Sequence, residues 1–234
     1  TLIFILLCLD ANANSKNLIL GFIQDYPPYS YELNNQPKGR HVEQIIAIST
    51  TSGVAVDIEF YPVQQLLRKA VNGDIDGIVG LVYRDDRAEF LDYVLATKID
   101  EVTVSLYTLK QKRNIDELIN KKAILAAKIG FALNDDLHAK LNAKGVELYR
   151  FSDISIVLKL MEAERIDGII HSDNAITLEN QYKNILFKSE EVLTSEPTYL
   201  TFSKTLNPVK VKLKDNSKYS DLLLESESEK LRLI

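Results

Sequence analysis

Two segments of this chain carry nearly the same short text, and the pair constrains the fold more than any other feature. Asn72-Gly73-Asp74-Ile75-Asp76-Gly77-Ile78 and Ala163-Glu164-Arg165-Ile166-Asp167-Gly168-Ile169 each end an amphipathic helix and enter a strand, with Asp76 and Asp167 91 residues apart. Around the first copy, apolar runs at 18–23, 54–60 and 75–79 read as strands. Helices are expected between them at 41–49 and from Pro62, where Val63, Leu66, Leu67, Ala70 and Val71 recur at helical spacing until Asn72-Gly73 stops them. Around the second copy, strands are expected at 124–129, 146–151 and 166–170, and helices at 135–143 and 153–164. Asp153 is a suitable N-cap for the latter, and Met161 reads as core filler. Strand, helix, strand, helix, strand indicates parallel βαβ units, here built twice. The expectation is two α/β lobes.

Segments 96–109 and 186–202 have the alternating character of long strands and are expected to cross between the lobes. Two crossings leave a cleft onto which the strand ends open. Each lobe is expected to keep its own sheet rather than share a continuous one. The chain has 234 residues, 46% of them apolar, which suffices for two modest cores. Its 28 basic and 33 acidic residues are intermixed, giving a formal charge of −5 with no basic patch or tail. Phosphate backbones need concentrated positive charge, so no nucleic-acid partner is expected.

The first residues differ from the rest. An apolar run over 1–9 is too short to span a bilayer and is followed by the small-x-small triplet Ala11-Asn12-Ala13. This reads as the back half of a secretory signal peptide occupying residues 1–13, with cleavage after Ala13. The only cysteine, Cys8, would leave with it, which suits an oxidising compartment. At the other end, 208–234 contains no glycine and an acidic run at 225–229, and an irregular ending is expected.

Several chemistries lack their signatures. His41, His138 and His171 form neither HExxH nor a close ligand cluster, so no metal and no other cofactor is expected. There is no nucleophile elbow, phosphate loop or dinucleotide fingerprint. The paired acids Asp74 and Asp76, and Asp85 and Asp86, sit in charged turns and are expected to face water.

YPPY at 26–29, Gly39 before the first helix, NGDIDGIVG at 72–80, YRDDRAEFLDYV at 83–94 and RIDGIIHSD at 165–173 together resemble the bacterial extracellular solute-binding proteins of family 3. That family includes the polar amino-acid receptors of ABC transporters. The resemblance covers about residues 18–204. It implies the type II periplasmic-binding fold: two α/β lobes, two crossover strands and an interlobe cleft. The first lobe would comprise 17–100 with 196–234, and the second 101–195. It further implies a monomer in the periplasm or at the cell surface that delivers a small polar solute to an ABC permease. Some proteins resembling the family are dehydratases or lytic enzymes, for which Asp25, Asp135 and His171 are the candidate general acids. A ligand sensor that signals to a membrane partner is a third class.

The resemblance also carries site residues. Arg87, six before Tyr93 of Asp92-Tyr93, would grip a ligand carboxylate with its planar, permanently charged fork. Tyr26 would pack on the ligand body, Asp25 would read its distal group, Tyr29 would serve as a wall and Tyr61 would lie near a second one. Gly80 would offer its carbonyl to an ammonium. Val82 stands where the family has a hydroxyl, and offers only backbone groups. At the helix opening of the second lobe, Asn134 replaces the family's glycine and Asp135 its hydroxyl residue. Ser172 stands where the family places an ammonium-binding aspartate, with Asp173 one step beyond. An aspartate at the anion site would repel carboxylates, so basic amino acids, amines or an atypical polar solute are expected over neutral and acidic amino acids.

Overall fold

The computed structural model describes residues 17–96, 98–129, 133, 135–174 and 185–205. The expected signal segment, Asn134 and the 208–234 ending lie outside them. From the start of the described chain, β1 (Leu18–Ile23) leads through the hairpin β2 (Tyr31–Leu33) and β3 (Gln36–Lys38) into α1 (Arg40–Ser52) and β4 (Val56–Tyr61). Then come α2 (Val63–Asn72), β5 (Gly77–Val82), the short α3 (Asp85–Ala88) and β6 (Leu91–Tyr93). The chain crosses on β7 (Asp100–Leu109) and builds α4 (Ile115–Asn120), β8 (Leu125–Lys128), α5 (Asp135–Ala143), β9 (Leu148–Phe151), α6 (Ile154–Glu162) and β10 (Gly168–Ser172). It returns on β11 (Leu186–Ser203).

The two halves have one plan. In the first, the order is β4-β1-β5-β11, three parallel strands followed by an antiparallel crossing strand. In the second it is β9-β8-β10-β7, again three parallel and one antiparallel. The helices form for the reasons the spacing gives. Pro62 precedes α2 with φ −56°, and Gly73 ends it in the left-handed conformation at φ 75°. Asp153 caps α6, accepting from the Ser155 amide at 2.8 Å. Leu66 and Ala70 of α2 pack on Ile75, Ile78, Leu81 and Leu91, and Val157, Leu158 and Met161 of α6 pack on Ala126, Phe151 and Ile169.

The repeated text does the same mechanical work in both halves. The Asp76 carboxylate accepts from the Ile19 amide at 2.8 Å, and its own amide donates to the Ile19 carbonyl at 2.8 Å. Asp167 makes the same pair of bonds with Ile124, at 2.8 Å each. The expectation that Asp76 faces water is therefore corrected. It is 7% exposed, because it satisfies an amide of a strand whose next partner begins one residue later. Gly77 follows it because the crossing strand passes too close for a side chain: a Cβ there would sit 2.2 Å from the Thr201 carbonyl oxygen.

The lobes do not keep separate sheets. β7 and β11 pair antiparallel from Leu186 opposite Leu109 to Thr198 opposite Asp100, so nine strands join one hydrogen-bonded sheet among the described residues. The two crossings are neighbours, and neighbouring extended backbones satisfy each other's amides and carbonyls. What divides the lobes is the packing on either side of this seam. Leu18, Phe22, Val42, Ile45 and Phe202 form a core of the first half. A second-half core gathers Leu106, Ile119, Leu125, Leu141 and Ile170, and it also takes in Tyr26 and Tyr29. The loop after β1 thus belongs to the first lobe by sequence and to the second by packing.

Candidate functional site

A cavity of about 440 Å³ lies where the two halves meet. Its first-lobe wall comes from the loop after β1 (Ile23 to Tyr26), the opening of α2 (Pro62 to Gln65, with Arg68), the end of β5 (Gly80 to Val82) and Arg87 of α3. The paired crossings supply Val102 and Val104 from β7, and Thr194, Glu196 and Thr198 from β11. Lys128, Ile129 and Ser152 close it from the second lobe.

Arg87 is the residue with the most unusual environment. It sits on a single helical turn whose first positions are Asp85 and Asp86, acids that suit a helix N-terminus. Its backbone amide donates to Asp86 Oδ1 at 2.9 Å, which holds that acid against the main chain. The whole residue is 9% exposed, yet no carboxylate of the described residues comes within ion-pair distance of its guanidinium. It lies beside Tyr93, whose pKa burial raises and the Arg87 charge opposes. The Tyr93 hydroxyl in turn donates to the Val82 carbonyl at 3.1 Å. A cation this buried is costly to leave without a carboxylate in ion-pair range.

The neighbouring wall depends on Gly80. Its φ of +83° is open to glycine, and a Cβ would stand 2.4 Å from His41 Nδ1. His41 is itself 1% exposed, with Nε2 3.7 Å from Asp100 at the start of β7. Arg40 completes this anchor, 2.9 Å from the same Asp100 oxygen and over the Tyr29 ring at 5.0 Å.

Of the residues named from sequence, Asp25, Tyr26, Gly80, Val82 and Arg87 come together around the cavity. Tyr26 is 5% exposed, stacks on Tyr29 at 4.9 Å and donates to Ser172 Oγ at 3.1 Å. Burial raises its pKa, with the Ser172 bond opposing. Tyr29 is fully buried behind it, its hydroxyl accepting from Asn174 at 3.0 Å. Tyr61 ends β4 with Lys69 over its ring at 4.6 Å, and the wall is made by the residues just after it. Ser172 lies behind Tyr26, outside the lining. Asp173 accepts from the Tyr107 hydroxyl at 2.8 Å and from Lys188 at 2.5 Å, and does not line the cavity. Asp135 opens α5 as an exposed residue, also outside the lining. Exposed in the first turn of α5 and outside the lining, it gives no ground for preferring cationic ligands. Asn134 lies outside the described residues.

Of the three candidate general acids, Asp25 alone is in the cavity lining. Asp25 lines the cavity, Asp135 lies elsewhere, and His171 is buried against Phe151 at 6.2 Å. Burial pushes the His171 pKa down to about 4. Among the described residues no group of three or more His, Cys, Asp or Glu is placed to hold a metal ion, and no helix is long and apolar enough to cross a membrane.

Sequence reasoning missed Lys128, Arg68 and Glu196. Lys128 donates to the Asp25 carbonyl at 3.0 Å and lies 5.5 Å from the Tyr26 ring centroid, joining the lobes at the cavity. Glu196 is held by Arg84 at 2.9 Å. Arg68 is the residue one turn beyond the wall-forming Gln64 and Gln65, and helical spacing from Pro62 was the signal that would have found it.

Comparison with known proteins gives three results. The model of the bacterial extracellular solute-binding proteins, family 3, matches residues 18–222. No curated protein matches the chain. Solved structures with the same fold include holo ArgBP from T. maritima, at 18% identity and a TM-score of 0.72, with 90% of each chain covered. An ancestral arginine-binding protein bound to arginine aligns at 18% identity and a TM-score of 0.73, covering 91% of this chain and 92% of that one. A histidine kinase sensor domain with similarity to periplasmic binding proteins aligns at 16% identity and a TM-score of 0.73, with 92% of each covered.

Proposed function

Because the chain belongs to the bacterial extracellular solute-binding proteins of family 3, we propose that it captures a small, amino-acid-like solute in the cavity between its lobes and delivers it to an ABC-type permease. Arg87 carries the reading. Its nearly buried guanidinium faces the cavity without a carboxylate partner among the described residues, and a ligand carboxylate supplies one in bidentate geometry. Tyr26 covers the ligand body, and Gly80 and Val82 present backbone groups along the first-lobe wall. Asp25 stands on the same wall, where it meets the part of the solute farthest from Arg87. Closing two lobes over a small polar molecule removes its charged groups from water, which makes each paired contact stronger and each unpaired one costly.

The experiment is calorimetry of the wild type and Arg87→Ala with a panel of small carboxylates. Loss of a desolvated charged partner costs about 2–5 kcal/mol. Affinity unchanged in Arg87→Ala, in a protein that still melts cooperatively, would remove Arg87 from the site.

Delivery to a permease places the protein outside the cytoplasmic membrane, in the periplasm or at the cell surface, with cleavage after Ala13. Mass spectrometry of secreted protein that still carries residues 1–13 would refute the cleavage. A second reading, in which a membrane partner senses the loaded protein instead of accepting its ligand, is favoured by the fold shared with a histidine kinase sensor domain. Solute uptake that survives deletion of the protein, while a transcriptional response is lost, would select it.

A further inference from the structure

From the charges around the cavity we infer that the ligand is a carboxylate with an apolar body and no ammonium group. This rests on the reading that the cavity is the solute site, and within that site it replaces the amino acid by its amine-free counterpart.

The charged lining residues are Arg68, Arg87 and Lys128 on one side of the balance, and Asp25 and Glu196 on the other. Glu196 is already neutralised, because Arg84 holds its two oxygens at 2.9 and 3.3 Å. The remaining acid, Asp25, and the cation Arg68 are both exposed to water, which screens them, whereas Arg87 is 9% exposed. The buried charge of the cavity is therefore positive. A zwitterion brings no net charge to it and places an ammonium in a cavity whose most buried charge, Arg87, is already positive. An anion without that ammonium compensates it.

Geometry agrees with charge. The second lobe contributes Lys128, Ile129 and Ser152, and among the described residues it contributes no carboxylate. The acid just after β10, Asp173, is turned to Tyr107 and Lys188, and Ser172 beside it is covered by the Tyr26 hydroxyl. The strand end from which a second-lobe acceptor would reach an ammonium is thus occupied by bonds within the protein. Beside it, where Ser172 pairs with Val104, the β7 residues Val102 and Val104 line the cavity together with Val82 and Ile23, which suits a hydrocarbon body.

The test is a set of matched pairs that differ by the amine alone: isocaproate against leucine, hydrocinnamate against phenylalanine, and glutarate against glutamate. Isothermal calorimetry on the wild-type protein is expected to show the amine-free member of at least one pair binding more tightly, by about tenfold or more, the scale of one uncompensated charge contact in a partly buried site. Arg68→Gln, a change at an exposed residue, is expected to weaken that binding and to reduce its salt dependence. If the amino acids bind more tightly and lose affinity in Arg87→Ala, this inference fails and the site stands. If binding is indifferent to Arg87→Ala, the site itself is wrong. If no member of any pair binds at millimolar concentration, the ligand class is wrong.

Discussion

Tyr26 and Ser172 lie 146 residues apart and share a hydrogen bond of 3.1 Å from hydroxyl to hydroxyl, one from each lobe. Both are buried, so the bond forms away from water, and the Tyr26 ring it positions is part of the cavity wall. Lys128 reinforces the same junction from the second lobe, over the Tyr26 ring and on the Asp25 carbonyl.

Tyr26→Phe keeps the stacking on Tyr29 and removes the hydroxyl, leaving Ser172 without its cross-lobe donor. An unsatisfied buried polar group costs about 1–3 kcal/mol. The variant is expected to unfold at lower urea by that amount, measured by circular dichroism, while Ser172→Ala in the same background restores part of the loss. An additive double mutant would show that the two hydroxyls do not interact.

The reciprocal bonds of Asp76 and Asp167 predict an asymmetry. Asp76 is 7% exposed and Asp167 is exposed to solvent, although each accepts from a strand amide at 2.8 Å. Water can replace the lost acceptor at Ile124 more readily than at Ile19. Asp76→Ala is expected to cost about 1–3 kcal/mol of stability, and Asp167→Ala less. Equal losses in denaturant titrations would contradict the burial argument.

Gly80→Ala is expected to damage both fold and site. The substitution forces a Cβ to within 2.4 Å of His41 Nδ1 at a φ of +83°. Overpacking of this kind costs about 1–3 kcal/mol, with backbone strain added. The melting temperature should fall, and ligand affinity should fall with it because the displaced strand end lines the cavity. A variant as stable as the wild type would show that His41 moves aside freely.

His171 sets a pH dependence with a definite sign. Burial pushes its pKa down to about 4, against the Ser172 carbonyl bond that raises it. An unfolded histidine titrates near about 6.5, so between the two values the unfolded chain binds more protons. The stability linked to this group is complete above about pH 6.5, is lost as pH falls towards about pH 4, and amounts to about 3 kcal/mol. His171→Gln should flatten that part of the stability profile. An imidazole resonance that titrates at its ordinary value in the folded protein would refute the burial effect.

Much of the architecture was legible because it depends on local periodicity. The α5 bounds Asp135–Ala143, the β1 bounds Leu18–Ile23 and the Asp153 cap follow from spacing and capping alone. Asp76 was misjudged because a turn acid looks solvated until the strand it supports is known. The cavity was half legible. Arg87 and Tyr26 sit in motifs, but Glu196 and Val102 face the cavity through the pairing of β7 with β11, a register set between segments far apart in the chain. Lys128 has no motif at all, and its role comes from where the loop after β1 lands on the other lobe. Asp135 was given weight by its position in a motif, and its exposure outside the lining removes that weight.

The bonded pairing of β7 and β11 has a mechanical consequence. Two independent straps would let one half of the molecule swing about either of them. Strands laced from Leu109 opposite Leu186 to Asp100 opposite Thr198 deform instead as one ribbon, stiff against in-plane shear and compliant in torsion about its length. The irregular register between Lys188 and Thr194 is where that torsion is taken up with least loss of bonding. Relative rotation of the halves is thereby reduced to a single twisting coordinate, and the amides of both strands on it share one opening free energy in hydrogen exchange.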